Sequence, residues 1–229
     1  MIMRVLGLNV GLLVAVMFVM TTAQAAEPKL DTDKQRFSYA IGVQIGGSLQ
    51  RDGLDIDAAV IGMAIADVMS QSPLRLSPEQ MQAAFTVFQD KKTKEMQAIS
   101  EVNLKKGQSY MAKFSKEKGV KVLDNGLHYK VLTKGKGKKP AEEDTVVVHY
   151  RGALVNGEEF DSSYKRGEPA TFAVNAVIEG WQEILPMMPA GSKWKVAIPA
   201  ALAYGPQGTG GQIGPNETLV FDIELLEIK

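Results

Sequence analysis

Few residues of this chain could make or break a covalent bond. Its two histidines, His128 and His149, stand 21 residues apart, each inside an alternating run that reads as a strand. Both are expected at the surface or at a sheet edge. The pair Ser162-Ser163 has no histidine near it in sequence, so a turn role is expected rather than that of a nucleophile. HExxH, GxSxG and any histidine and carboxylate cluster at metal spacing are absent from the sequence. The chain has no cysteine, which excludes disulfides, thiolate metal sites, a cysteine nucleophile and a lipid-modified N-terminal cysteine. Gly208-Thr209-Gly210-Gly211-Gln212-Ile213-Gly214 fails as a phosphate loop, because the GxGxxG register needs glycine where Ile213 stands and no βαβ unit surrounds it. Neither a cofactor nor a metal is expected.

Aromatic and branched apolar residues beside turns are plentiful instead: Tyr150, Phe160, Phe172, Val177, Ile178, Trp181, Tyr204, Ile213 and Phe221. Such a set can build a core or wall a ligand pocket. Asp161 directly follows Phe160, with Arg166 close behind, and a carboxylate beside an aromatic residue needs a partner if it is even partly buried. In the short amphipathic stretch VIEGWQEIL, Gly180 precedes Trp181. Glycine costs about 1 kcal/mol against alanine in a helix, so its place beside the largest side chain needs a reason that propensity does not supply.

From Val120 onward the hydrophobic period is two. His128 to Leu132, Val146 to Tyr150, Trp194 to Ile198 and Leu219 to Ile228 read as strands separated by glycine- and proline-bearing turns. The helix at Val177 alone interrupts them, and must cover one face of the sheet in an α+β unit. Upstream the period is helical. Phe37, Ile41, Ile45 and Leu49 recur every four residues until Asp52-Gly53, and Val60, Ile61, Ala64, Ile65, Val68 and Met69 cover a wide arc of a second helix. Gly42 and Gly46, one turn apart, would let another backbone come close. About 40 residues seldom make a sufficient core, so two chains are expected to interlock here; the alternative is a hairpin packed on its own chain.

Ser77, Pro78 and Gln80 form a complete helix start, with Leu76 placed to staple onto Met81. No proline follows until Pro140, so one helix is expected from Pro78 to about Lys118, roughly 60 Å long at 1.5 Å per residue. Its apolar stripe (Met81, Phe85, Phe88) fades into Lys91-Lys92-Thr93-Lys94-Glu95 and resumes at Tyr110, Met111 and Phe114. A rod solvated at its middle is expected. Gly107 reads as a tolerated glycine or a bend.

The chain opens with Arg4 near its start, an apolar run to Met20 and Ala23-Gln24-Ala25, the pattern of a secretory signal cleaved after Ala25. The run is about 16 residues, short of the roughly 20 that a membrane anchor needs, and no later segment could span a membrane. The 26 basic residues balance the 26 acidic ones, so nothing suggests a nucleic-acid surface. An exported protein without disulfides fits a bacterial periplasm, with outer-membrane or cell-surface association left open. Asn216-Glu217-Thr218 would be a glycan acceptor only in a eukaryotic secretory pathway.

Five motifs, in order and at matching spacing, then carry a resemblance: Val147-Val148-His149-Tyr150-Arg151-Gly152, Gly157-Glu158-Glu159-Phe160-Asp161-Ser162-Ser163, Val177-Ile178-Glu179-Gly180-Trp181, Ala203-Tyr204-Gly205, and the run Thr218 to Leu226. The C-terminal block resembles FKBP-type peptidyl-prolyl cis-trans isomerases. With the signal peptide and long helix, the whole chain is similar to the macrophage infectivity potentiator branch of exported bacterial FKBPs. The resemblance implies residues 1–25 as signal peptide, 26–76 as a helical dimerisation domain, 77–118 as a connecting helix and 119–229 as an antiparallel sheet wrapped around one short helix. It implies a V-shaped homodimer, proline-containing unfolded polypeptides as substrates and rapamycin-type macrolides as ligands.

Residue by residue, the resemblance places Tyr150, Asp161, Trp181, Tyr204 and Phe221 at the reacting imide, and Phe160, Arg166, Phe172, Val177, Ile178 and Ile213 around the bound chain. Trp181 would be the floor. The Tyr204 hydroxyl and Ile178 N–H would hold ligand carbonyls, and Asp161 and Arg166 would form a polar pair at the rim. The family pattern is departed from at Ala170, Thr209 and Gln212, at the pocket's outer edge. A holdase that binds clients through the same pocket, with turnover secondary, is the alternative function.

Overall fold

The computed structural model describes residues 29–229. The expected signal peptide, residues 1–25, lies outside the described residues. Contacts divide the chain into two units, one ending at Arg75 and one running from Leu76 to Lys229.

The first unit holds α1 (Asp33–Arg51) and α2 (Ala58–Met69). Thr32 caps α1 in a capping box with Gln35, and the Asp57 carboxylate takes the Ala59 and Val60 amides at the start of α2. Neither helix buries a residue in the single chain. Phe37 is 69% and Met69 79% exposed, and nothing lies within 4 Å of where a side chain would sit at Gly42 or Gly46.

The second unit opens with α3 (Pro78–Phe114), 37 residues capped by Ser77 and Gln80 as the sequence predicts. It ends four residues short of Lys118. Residues 82–99 are exposed throughout, whereas Asn103, Gly107 and Phe114 are buried. Phe114 packs with Ala197 and Val220, flanked by Tyr110 and Met111, so the helix C-terminus covers the outer face of the sheet. Gly107 is neither a bend nor merely tolerated: a side chain there would overlap Thr218.

Seven strands follow: β1 (Val120–Val122), β2 (His128–Thr133), β3 (Thr145–Leu154), β4 (Glu159–Ser162), β5 (Ala170–Ala173), β6 (Lys193–Ile198) and β7 (Leu219–Ile228). All pair antiparallel, in the order β1-β2-β6-β7-β3-β4, with β5 beside the first half of β3. A one-turn α4 (Ser163–Arg166) closes β4, and α5 (Glu179–Ile184) crosses the sheet. The sequence predicts only the second of these helices, because a single turn is too short to display a helical period.

Alternation sorts the side chains between faces. Val146, Val148, Tyr150, Trp194, Val196, Phe221, Ile223 and Leu225 are buried together with Trp181, Ile184, Leu185 and Met188, which α5 and the turn after it supply. Gly180 allows this approach. A Cβ on it would come 2.5 Å from Ile198 Cγ2 and 2.9 Å from Ile198 Cδ1. The histidine expectation is corrected: β2 lies between β1 and β6, and His128 is buried with Nδ1 2.9 Å from the Gly126 carbonyl oxygen. His149 lies on β3, flanked by β7 and β4, and is half-buried rather than at an edge.

Candidate proline-binding cavity

An aromatic box stands between the sheet and the start of α5. Trp181, 4% exposed, meets Tyr150, Phe172 and Phe221 edge to face, with ring centroids 5.4, 5.8 and 5.3 Å away and interplanar angles of 82–90°. Phe160 meets Phe221 in the same way at 5.7 Å. Such pairs add about 0.5–1.5 kcal/mol each beyond their burial and fix ring orientation. Gly152 makes room for the last pair, since a Cβ there would come 2.7 Å from the Phe160 ring and 2.8 Å from Phe221. The Trp181 Nε1 is itself buried and has no partner among the described residues.

The cavity is about 500 Å³, the size of a small peptide segment or drug-like ring system. Tyr150, Phe160, Asp161, Phe172, Val177, Ile178, Trp181, Tyr204 and Phe221 line it, all expected from the sequence. Ala176 and Ala203 line it as well and were not expected, because small residues carry no signal of their own. Ile213 does not line it. It is buried in the core beneath its loop, where its apolar side chain is removed from water more completely than at a pocket mouth.

The polar rim is built across three elements. Arg166, at the end of α4, reaches Asp161 Oδ1 on β4 at 2.5 Å and donates to the Tyr150 hydroxyl oxygen at 3.0 Å. The Tyr150 hydroxyl in turn donates to Asp161 Oδ2. Gly167, at φ +79°, turns the chain after Arg166 and sets that reach. Burial pushes the Asp161 carboxyl up, but the Tyr150 and Arg166 hydrogen bonds and the Arg166 charge outweigh it and hold the group below the usual range. Burial and the bond to Asp161 push the Tyr150 hydroxyl up, so it keeps its proton. Arg166 thus completes the site through Tyr150 and Asp161 and does not itself line the cavity.

Tyr204 stands at the mouth, 41% exposed, and Val177 and Ile178 form the lip. The Ile178 carbonyl accepts from the Trp181 and Gln182 amides at 2.8 and 3.1 Å, fixing the start of α5 below that lip. Of the positions that depart from the family pattern, Ala170 packs on the core. Gln212 lies with Asp161 and Arg166 in a shallow depression of about 270 Å³ beside the rim.

Ser162 ends β4 and Ser163 opens α4, so the pair stands at a strand-to-helix junction rather than in a turn. Ser163 Oγ lies 3.0 Å from His149 Nδ1, a pairing across the fold that the sequence spacing conceals. The same oxygen accepts from the Tyr150 amide at 2.8 Å and is fully buried, so it pins the Tyr150 backbone and is closed to substrate. No group of three or more metal-ligating side chains gathers among the described residues. The cavity offers shape, aromatic surface and a fixed rim, with no nucleophile.

Two family models match the chain. One, described as FKBP-type peptidyl-prolyl cis-trans isomerase, covers residues 136–226; the other, the domain amino terminal to FKBP-type peptidyl-prolyl isomerase, covers residues 34–131. The outer membrane protein MIP of Legionella longbeachae is 44% identical over 216 residues, spanning 92% of this chain and 93% of that protein. The peptidyl-prolyl cis-trans isomerase Mip of Coxiella burnetii is 39% identical over 97% of this chain and 96% of its own length. The crystal structure of FkpA from Escherichia coli superposes with a TM-score of 0.62 at 39% identity, covering 87% of this chain and 98% of that one.

Proposed function

This chain belongs to the FKBP-type peptidyl-prolyl cis-trans isomerases and catalyses rotation about X-Pro bonds; we propose that the bond turns in the aromatic box over Trp181. The carrying observation is the box itself, closed by three edge-to-face contacts to one indole. Rotation faces a barrier of about 18–20 kcal/mol, because resonance gives the C–N bond double-bond character. That resonance separates charge, and an apolar cavity solvates the separated form poorly. A twisted imide has lost the conjugation and loses less on entering. Each 1.4 kcal/mol of that difference gives about tenfold in rate.

Trp181, Phe221 and Phe160 supply the apolar contact, and Phe172, Val177 and Tyr150 the walls. The Tyr204 hydroxyl and the Ile178 N–H hold substrate carbonyls on either side of the proline. Asp161, tied to Tyr150 and Arg166, fixes the rim and transfers no proton. Rapamycin-type macrolides, with a proline-like ring and flanking carbonyls, would occupy the same place. Trp181→Ala and Phe221→Ala are expected to lower kcat/KM by at least about tenfold in a protease-coupled proline-peptide assay. Full activity in either variant would falsify the cavity assignment.

The mature chain would begin after Ala25, act in the periplasm or at the outer membrane, and pair through α1 and α2. Support for pairing is their apolar surface, which includes Phe37, Val60, Val68 and Met69 and is exposed in the single chain. No helix among the described residues is long and apolar enough to cross a membrane. Paired in this way, two cavities on one dimer would also support a second activity, holding unfolded clients in addition to turning their prolines.

A further inference from the structure

The loop 205–218, between Tyr204 and β7, is fastened to α3. Asn103, 6% exposed, donates from Nδ2 to the Pro215 carbonyl at 2.9 Å, and Asn216 donates from Nδ2 to Ser100 Oγ at 2.7 Å. One turn further along, Gly107 leaves no space for a side chain against Thr218. The approach is close from the loop side too, because a Cβ on Gly214 would come 3.2 Å from Asn103 Nδ2. Asn216 sits at φ +54°, a left-handed conformation that asparagine tolerates. Its amide donates to the Gly205 carbonyl at 2.9 Å, closing the loop's neck directly beside Tyr204.

We infer that residues 100–107 of α3 position the catalytic cavity, by clasping the neck of this loop and so holding Tyr204 at the mouth. The inference rests on the role of Tyr204 proposed above. The loop carries Gly208, Gly210, Gly211 and Gly214, a composition that samples many conformations unless something fixes it. With the clasp broken, only a fraction of the molecules hold Tyr204 in place. Apparent affinity then falls by that fraction, while turnover in the unchanged box keeps its rate. The signature is a raised KM at constant kcat. Asn216 and Thr218, two positions of the sequon-like Asn216-Glu217-Thr218, are here clasp residues held against the helix.

The test uses the full chain, measured by protease-free NMR exchange on a proline peptide and by amide hydrogen exchange. Ser100→Ala and Asn216→Gly remove the same hydrogen bond from its two ends. Alanine is the best helix former, and glycine accepts the Asn216 conformation, so neither change threatens the fold. Adding Asn103→Ala to Asn216→Gly removes both hydrogen bonds. Each single change is expected to raise KM about threefold and the pair about tenfold, with kcat unchanged. Amides of residues 205–218 are expected to exchange faster while β6 and β7 stay protected. Gln97→Ala, on the exposed part of α3, serves as control and should change nothing.

Tyr204→Ala separates the two layers of the argument. It should raise KM at least as much as the pair does. If it leaves kcat/KM intact, the assignment of Tyr204 fails and the inference with it. If it lowers kcat/KM while the pair leaves KM unchanged, the inference alone fails. Unchanged loop exchange in the pair overturns it as well.

Discussion

Asp161 is the one carboxylate in the cavity, and its chemistry is decided by its partners. Arg166 and the Tyr150 hydroxyl hold it below the usual carboxylate range even though burial opposes this. A depressed folded value means that its contribution is complete above the ordinary value of about 3.9 and is lost only as pH falls through the lower one. Activity measured by NMR exchange is therefore expected to be flat from about pH 8 down to about pH 5, whereas an Asp161 that had to donate a proton would lose activity steadily as pH rises through this range. Asp161→Asn should lower kcat/KM by less than about tenfold, since the rim is half-exposed and the aromatic box remains. The motif around Asp161 and Phe160 was legible in the sequence because its residues are contiguous. Its closure by Tyr150 was not, because that contact depends on the register that sets Gly152 against Asp161 across two strands.

The helix α5 shows how an element's local preference yields to its packing. Alanine at position 180 would gain about 1 kcal/mol of helix propensity. Its methyl group would meet the Ile198 side chain, fully buried on β6, and overpacking of this kind costs about 1–3 kcal/mol. Gly180→Ala is thus expected to destabilise by up to about 2 kcal/mol in urea unfolding. In an Ile198→Ala background, the same change should be neutral or stabilising, because the new methyl fills the vacated space. The start of α3 could be read to the residue from Ser77, Pro78 and Gln80, all within one turn. Gly107 on the same helix could not, because the residue that requires it, Thr218, arrives from the far end of the chain.

For the whole molecule, the exposed apolar arcs of α1 and α2 are the feature that one chain leaves unsatisfied. On the proposed pairing through α1 and α2, Phe37→Glu and Val68→Glu are expected to shift the chain from dimer to monomer in sedimentation, with isomerisation of short peptides unchanged. Suppression of client aggregation should fall with the dimer; equal suppression by the monomer would show that client holding does not need pairing. By itself the sequence determined the periods of helix and strand, the capped start of α3 and the set of aromatic residues from which the cavity is drawn, since each is a local or additive property. The tertiary structure alone decided which faces meet. It put Ile213 in the core, brought His149 to Ser163, drew Arg166 across to Tyr150 and laid α3 against the loop beside Tyr204. Alternation says which residues share a face, but strand register and helix docking are cooperative choices of the whole chain, and those choices place two faces in contact.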